Sequence, residues 1–193
     1  MKNIAIYGAG GFGKEVRGML DMQRELYSFA GYFDDHKNGI EAVKGDQFDD
    51  VLMSIADPAV RMSLVNSWSR KKVPFNSLIS PDVRLHPSVK LGKGCIICPG
   101  VKVTVDVVLS DFVILNLNTT IGHDVHIGKF CSLMPAVNIS GSVRLGDRVF
   151  IGTGATILQG VTIGNDVTIG AGAVVLHDVP DGQTVMGVPA RPK

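Results

Sequence analysis

Residues 143–176 read VRLGDRVFIGTGATILQGVTIGNDVTIGAGAVVL, and an aliphatic side chain returns at every sixth place: Leu145, Ile151, Ile157, Ile163, Ile169 and Val175. Followed backwards, the same phase runs unbroken to Leu85, sixteen positions in a row, each Leu, Ile or Val. Those types fill 33 of the 91 residues from 85 to 175, so the run would arise by chance on the order of once in ten million trials. A second column stands two residues ahead of the first, from Val89 through Cys95, Val125, Cys131 and Val149 to Ala173, and every member is small or β-branched. An offset of two puts both columns on one face of a short strand. Glycine follows the aliphatic seven times, at Gly92, Gly122, Gly128, Gly146, Gly152, Gly164 and Gly170. Turn formers then follow, as in Lys93-Gly94, Asp147-Arg148 and Asn165-Asp166, residues that tolerate backbone angles resisted by β-branched ones. Each hexapeptide is therefore a short strand and a corner, and stacked coils would bury the two columns as a narrow continuous core. An antiparallel sandwich would need hairpin signals that the run lacks.

The pattern [LIV]-[GAED]-x-x-[STAV]-x resembles that of the left-handed parallel β-helix of the hexapeptide-repeat acyltransferases. The resemblance covers about residues 80–193 and implies three hexapeptides per coil, about five coils and a homotrimer.

Residues 1–84 have a different composition. They hold nine of the twelve aromatic residues but only 8 of the 23 glycines. The expected organisation is an α/β half-Rossmann domain over 1–79 followed by an all-β left-handed parallel β-helix over 80–193, with the boundary near Ser80-Pro81. Asn3 to Tyr7 reads as a buried strand, Gly8-Ala9-Gly10-Gly11-Phe12-Gly13 as a loop, and Lys14 to Met22 as a helix. Strands are expected at Phe29 to Phe33 and Val51 to Ile55, with a helix from Asp57 or Pro58 to about Arg70. Glycines before a helix N-terminus let a phosphate approach the backbone, and an acidic pair such as Asp34-Asp35, about twenty residues on, stands where Rossmann folds meet a ribose or base. The glycine run taken alone is equally a tight strand-to-helix turn. A domain this short is half a dinucleotide fold, which favours a mononucleotide or nucleotide-sugar over NAD.

Lys plus Arg is 19 and Asp plus Glu is 18, a net charge of +1. Such a balance argues against nucleic acid or an anionic membrane as the main partner. No apolar run approaches the roughly 18–20 residues that span a bilayer, and the N-terminus lacks a secretory h-region, so a cytoplasmic protein is expected. Cys95-x-x-Cys98 is half of a zinc pattern without its second half. Cys95 and Cys131 fall in the small-residue column and read as core, so no metal is expected. Arg70-Lys71-Lys72 reads as a solvated helix end.

Five histidines are present: His36, His86, His123, His126 and His177. The repeat places His123 and Asp124 at the two corner positions after Ile121-Gly122, pointing away from the core. A neighbouring carboxylate can orient an imidazole and stabilise the charge it takes up as a general base. His177-Asp178 stands in the same register, and position alone leaves both pairs open to being polar corners without a role.

The order GAGGFG, FDD, Asn116, GHD, SLMPAVNISG, IGAGAVV and GVPA is similar to that of sugar O- and N-acyltransferases related to the sialic-acid O-acetyltransferase and the UDP-4-amino-sugar N-acetyltransferase of the bacillosamine pathway. The resemblance spans both domains. It implies that His123 is the catalytic base supported by Asp124, and that Gly141 supplies a backbone N–H to the thioester oxyanion. It also implies that a nucleotide-sugar is held by Gly10, Gly11, Phe12, Asp34, Asp35, Ala56 and Asn116. Acetyl-CoA, by the same resemblance, lies between subunits along Ser132, Thr153, Gly170, Ala171 and the tail containing Pro189 and Arg191. Three departures stand out: Ser132 replaces a second histidine of some relatives, Phe12 a polar residue, and Ile55-Ala56-Asp57-Pro58 a more usual Ile-Gly pair, with Arg61 retained. The expected activity is transfer of acetyl from acetyl-CoA to the amine of a nucleotide-linked amino-sugar. O-acetylation of a sugar such as sialic acid is the same-fold alternative, and a non-catalytic nucleotide-sugar-binding scaffold is the alternative of another class.

Overall fold

The computed structural model describes residues 1–35, 48–70 and 73–193. His36, Lys71 and Lys72 lie outside the described residues. The front domain is a three-stranded parallel sheet of β1 (Lys2–Tyr7), β2 (Tyr27–Phe33) and β3 (Asp50–Met53), in the order β2-β1-β3. Helix α1 (Gly11–Asp21) connects β1 to β2, and α2 (Pro58–Ser69) follows β3 and leads to the β-helix. Helix α1 starts three residues earlier than the expected Lys14, because the glycines form its first turn rather than a preceding loop. A side chain at Gly13 would put its Cβ 1.9 Å from the Gly8 carbonyl oxygen, so only glycine lets helix and strand pack this closely. Helix α2 starts where Asp57 accepts a hydrogen bond from the Val60 N–H, with Pro58 in the first turn, both favourable choices at a helix start.

The rest of the chain is a left-handed β-helix with the section of a triangle, each side one two-residue strand. The first face stacks Leu78–Ile79, Ile96–Ile97, Ile114–Leu115, Ser132–Leu133, Phe150–Ile151, Thr168–Ile169 and Thr184–Met186 in parallel, with Arg191–Pro192 added antiparallel. The second runs from Lys102–Val103 through Thr120–Ile121 to Val174–Val175, and the third from Lys90–Leu91 through His126–Ile127 to Thr162–Ile163. The stack has about six coils, one more than the repeat count suggested, because the first strand is Leu78–Ile79, ahead of the first counted hexapeptide. Both sequence columns point inward and make one core from Val83 to Val185. Burying each aliphatic side chain there stabilises the fold by roughly 1.5–3 kcal/mol.

The corners explain the remaining periodicity. Asp106, Phe112, Asn118, Asp124, Phe130, Ala136, Ser142, Arg148 and Asp166 hold φ of 56–61°, and glycines occupy the same place at 94, 100, 154, 160 and 172. Left-handed backbone costs an L-residue roughly 1–2 kcal/mol. Along most of the stack each such corner donates its N–H to the corner carbonyl one coil back, as in Asp124 to Val105 (3.2 Å) and Ser142 to His123 (2.7 Å). The glycine after the aliphatic has a different cause. A Cβ at Gly92, Gly122, Gly146, Gly152 or Gly164 would lie 2.5–2.8 Å from the backbone nitrogen of the next coil's corner.

The front domain covers the first face. Ile4, Ile6, Leu52 and residues of α1 share a cluster with Leu78, Ile96 and Ile114 of that face, and Tyr7, Met53 and Val65 share another with Phe112 and Phe130. Phe112 and Phe130 occupy left-handed corners one coil apart and stack with ring centroids 5.1 Å apart. Trp68 packs edge-on to Tyr7 and Phe33.

Two neighbouring glycines separate the two corner requirements. Gly152→Ala meets the Ala171 nitrogen at 2.5 Å, whereas a side chain at Gly154 meets nothing but carries φ +71°. Gly152→Ala is expected to destabilise by roughly 1–3 kcal/mol, as overpacking does, and Gly154→Ala by about 1 kcal/mol. Urea unfolding of the two variants checks the order; equal effects would refute the close-approach account.

Candidate active site

His123 and Asp124 stand on the edge between the second and third faces, their side chains 54% and 60% exposed. The His123 Nδ1 lies 2.7 Å from an Asp124 carboxylate oxygen. A carboxylate only accepts, so Nδ1 carries the hydrogen, and in the neutral ring the lone pair is on Nε2. One coil on, at the same corner, is Gly141. A Cβ built there would lie 2.5 Å from His123 Nε2, so the glycine leaves room for the imidazole. On the edge between the third and first faces, several first corner residues donate their N–H to a side chain in the next coil, as Lys129 does to Asp147 and Asp147 to Asn165. Gly141 offers no side chain to His123, and among the described residues the Gly141 N–H has no acceptor.

The other histidines differ. The Asp178 carboxylate accepts from the Thr162 N–H rather than from His177. The His86 Nδ1 lies by the Ser88 Oγ, and the His126 Nδ1 lies 3.4 Å from the Asp124 carbonyl oxygen. Among the described residues, His123 is the one histidine paired with a carboxylate. No described cluster of His, Cys, Asp or Glu could hold a metal ion. Cys95, Cys98 and Cys131 are buried, and burial pushes their thiols up to about 11, 12 and 12, which makes them packing groups rather than nucleophiles or ligands.

In the front domain the glycine run divides by role. Gly8, at φ +102°, and Gly13 are required by packing, whereas a Cβ at Gly10 or Gly11 meets nothing within 4 Å. Those two leave bare backbone at a helix N-terminus, where an anion is favoured. Phe12 is half-buried against the core beneath them. The Asp34 carboxylate accepts from the Ala9 N–H at 2.8 Å and so shapes this loop. The Asp35 carboxylate accepts from the Tyr7 hydroxyl at 2.5 Å. Burial, and next Asp35, hold the Tyr7 phenol proton well above its ordinary range. The Ser54 Oγ reaches the Tyr7 and Gly8 carbonyl oxygens at 2.7 and 3.0 Å, tying β3 to the loop. Neither Tyr7 nor Ser54 stood out in the sequence, since each gains its role only through strand pairing.

The expected cofactor residues fall in three places. Thr153 and Ala171 are exposed neighbours on the edge between the first and second faces, with Gly170 beside them; Asn116, expected at the nucleotide-sugar instead, lies on that edge lower down, buried, its Oδ1 accepting from the Leu117 N–H. Pro189 and Arg191 belong to the tail that folds back on the last coil, Ala190 N–H donating to Val174. Ser132 departs from expectation. It is 0% exposed, its hydroxyl donating to the Ala56 carbonyl at 2.6 Å and accepting from Arg61 Nη1 at 2.9 Å. A hydroxyl so used, inside the joint between the domains, is not on a surface open to a cofactor. Ala56 likewise offers this joint its carbonyl. Arg61 is 1% exposed, and burial lowers its guanidinium to about 10.

Residues 3–68 match the family described as the PglD N-terminal domain, and residues 142–177 match the bacterial transferase hexapeptide family. A variant of perosamine N-acetyltransferase from Caulobacter crescentus, solved with CoA and GDP-perosamine, is 30% identical over 100% of this chain and 97% of that one, with a TM-score of 0.92. The acetyltransferase domain of PglB from Neisseria gonorrhoeae, solved with acetyl coenzyme A, is 32% identical over 100% and 99%, TM-score 0.90. WeeI from Acinetobacter baumannii is 31% identical over 100% of both chains, TM-score 0.92. The chain belongs to this family of hexapeptide-repeat sugar N-acetyltransferases. No curated protein sequence matches it at the same stringency. None of the acetyltransferase's described helices is long and apolar enough to cross a membrane.

Gly11→Ala and Gly13→Ala test the division of the glycine loop. Gly11→Ala in the open first turn of α1 is expected to leave stability unchanged or raise it by up to about 1 kcal/mol, while Gly13→Ala should cost more than 2 kcal/mol through its backbone clash. Thermal melts of both variants check this; a destabilised Gly11→Ala would mean that Gly11 serves packing.

Proposed function

We propose that this acetyltransferase moves an acetyl group from acetyl-CoA to the amine of a nucleotide-linked amino-sugar, with His123 as general base. The observation that carries the reading is the His123–Asp124 pair, Nδ1 on the carboxylate and Nε2 beside Gly141. The amine nitrogen attacks the thioester carbonyl and forms the C–N bond. Nε2 accepts the proton that the nitrogen loses, and the imidazolium can return it to the departing CoA sulfur as the C–S bond breaks. The Gly141 N–H donates to the oxyanion, a contribution that grows where water is excluded. Holding both substrates together supplies much of the remaining acceleration.

The nucleotide-sugar reading rests on Gly10 and Gly11 open at the start of α1, with Asp34 and Asp35 at the end of β2. It is supported by GDP-perosamine in the Caulobacter relative. Acetyl-CoA is supported by the cofactor bound to the gonococcal domain, with Thr153, Gly170, Ala171, Pro189 and Arg191 as its contacts here.

The front domain and His123 lie on different sides of the β-helix within one chain. The front domain covers the first face, and His123 stands on the edge opposite that face. We therefore place the active site between copies of the chain, in a homotrimer of closed cyclic symmetry, where one copy presents the nucleotide-sugar to His123 of its neighbour.

His123→Ala is expected to lower kcat by ~10²–10⁴-fold, with a melting temperature near wild type because the side chain is exposed. Asp124→Asn should cost less, and His177→Ala should change kcat little. Steady-state release of CoA thiol with a panel of nucleotide-linked amino-sugars measures all three. Wild-type kcat in His123→Ala would refute the general-base role, and turnover of hydroxyl acceptors only would replace the amine reading with O-acetylation.

A further inference from the structure

Arg61 is buried, and the proposed reaction does not use it. Among the described residues no carboxylate lies within ion-pair distance of its guanidinium. It donates instead to neutral oxygens on both domains: the Ile55 and Ala56 carbonyls on one side, and the Phe112, Phe130 and Cys131 carbonyls with the Ser132 Oγ on the other. Burying an arginine in this way is costly unless every donor of the planar fork is used. Plain adhesion between domains needs no such group, because the apolar clusters on both sides of the sheet already provide it.

The fork's contacts point to position. Ile55 and Ala56 form the turn that leaves β3 at the end of the sheet where ligands bind in such folds. The neighbouring Ser54 bonds to the Tyr7 and Gly8 carbonyls, Tyr7 bonds to Asp35, and Ala9 bonds to Asp34. Hydrogen bonds, joined through the Ser54–Ala56 backbone, thus link the β-helix to the glycine loop. On the β-helix side, Phe130, Cys131 and Ser132 follow His123 within one coil. In a cyclic assembly whose axis follows the prism, equal coils stand at equal height, so a joint to this coil sets the loop level with His123 of the neighbouring copy.

Resting on the function proposed above, we infer that Arg61, with Ser132, is a positioning residue: it fixes the nucleotide-binding turn against the β-helix and thereby sets affinity for the nucleotide-sugar. Arg61→Lys keeps the charge but loses the fork. It is expected to raise KM for the nucleotide-sugar about tenfold or more and to lower kcat, since small misplacements can cost up to about 10²-fold. KM for acetyl-CoA should stay within about twofold.

Ser132→Ala removes one hydroxyl from the joint and serves as the milder variant should Arg61→Lys fold poorly. It should raise the same KM by about tenfold, the low end of what one hydrogen bond to a charged group is worth. Calorimetric titration of each full-length variant with GDP and with UDP reads affinity without turnover, and melting temperatures are measured alongside. Weakened nucleotide binding by Ser132→Ala with a melting temperature near wild type supports the inference. Wild-type nucleotide affinity and KM in Ser132→Ala, or in a lysine variant that is merely less stable, would make the joint structural and overturn it. A wild-type protein that binds neither nucleotide and turns over no nucleotide-sugar overturns the functional reading itself, and the inference with it.

Discussion

From Gly94 to Gly172 the chain turns through a left-handed corner every six residues, and the protein depends on that turn being affordable for ordinary side chains. An isolated L-residue resists such angles, yet nine non-glycine residues hold them here. What offsets the cost is the stack: along most of it the strained corner's N–H finds the carbonyl of the corner one coil back, and the strand beside it bonds to strands above and below. No single coil could gain this. The period of six, the two inward columns and the glycine where coils touch most closely are all conditions for stacking without gaps or clashes.

Stacked corners form straight edges, and the edges distribute function. One carries the phenylalanine pair Phe112 and Phe130, which meets the front domain. Another carries Thr153 and Ala171. The third carries His123 below Gly141. Because the front domain is held on the face opposite the third edge, the nucleotide site and base proposed above stand apart within a chain, and the proposed symmetric assembly is what would bring them together.

The β-helix was legible in the sequence because each of its rules recurs every six residues, so Leu85 to Val175 could be read by counting. The front domain was legible in outline, from a strand, a glycine run and an acidic pair, but α1 begins inside the glycines because Gly13 packs against the Gly8 carbonyl, a contact that no periodicity reports. His123 was legible as an outward corner. Its difference from His177 was not, because Asp124 and Asp178 stand in the same register and only the fold shows that Asp178 bonds to Thr162. Ser132 misled for a similar reason: its hydroxyl belongs to the joint with Arg61 and Ala56, residues more than seventy places away in the chain.

The account's central claim is that one catalytic centre needs two chains, one giving the glycine loop and the other His123. Complementation measures this directly. Gly11→Leu would fill the open loop and His123→Ala would remove the base, and each variant alone should be nearly inactive. Co-assembled in equal amounts, they are predicted to regain roughly a quarter of wild-type activity, the share of sites that random mixing makes from two intact halves. Mixed assemblies that stay as inactive as either variant alone would contradict a site shared between neighbouring chains.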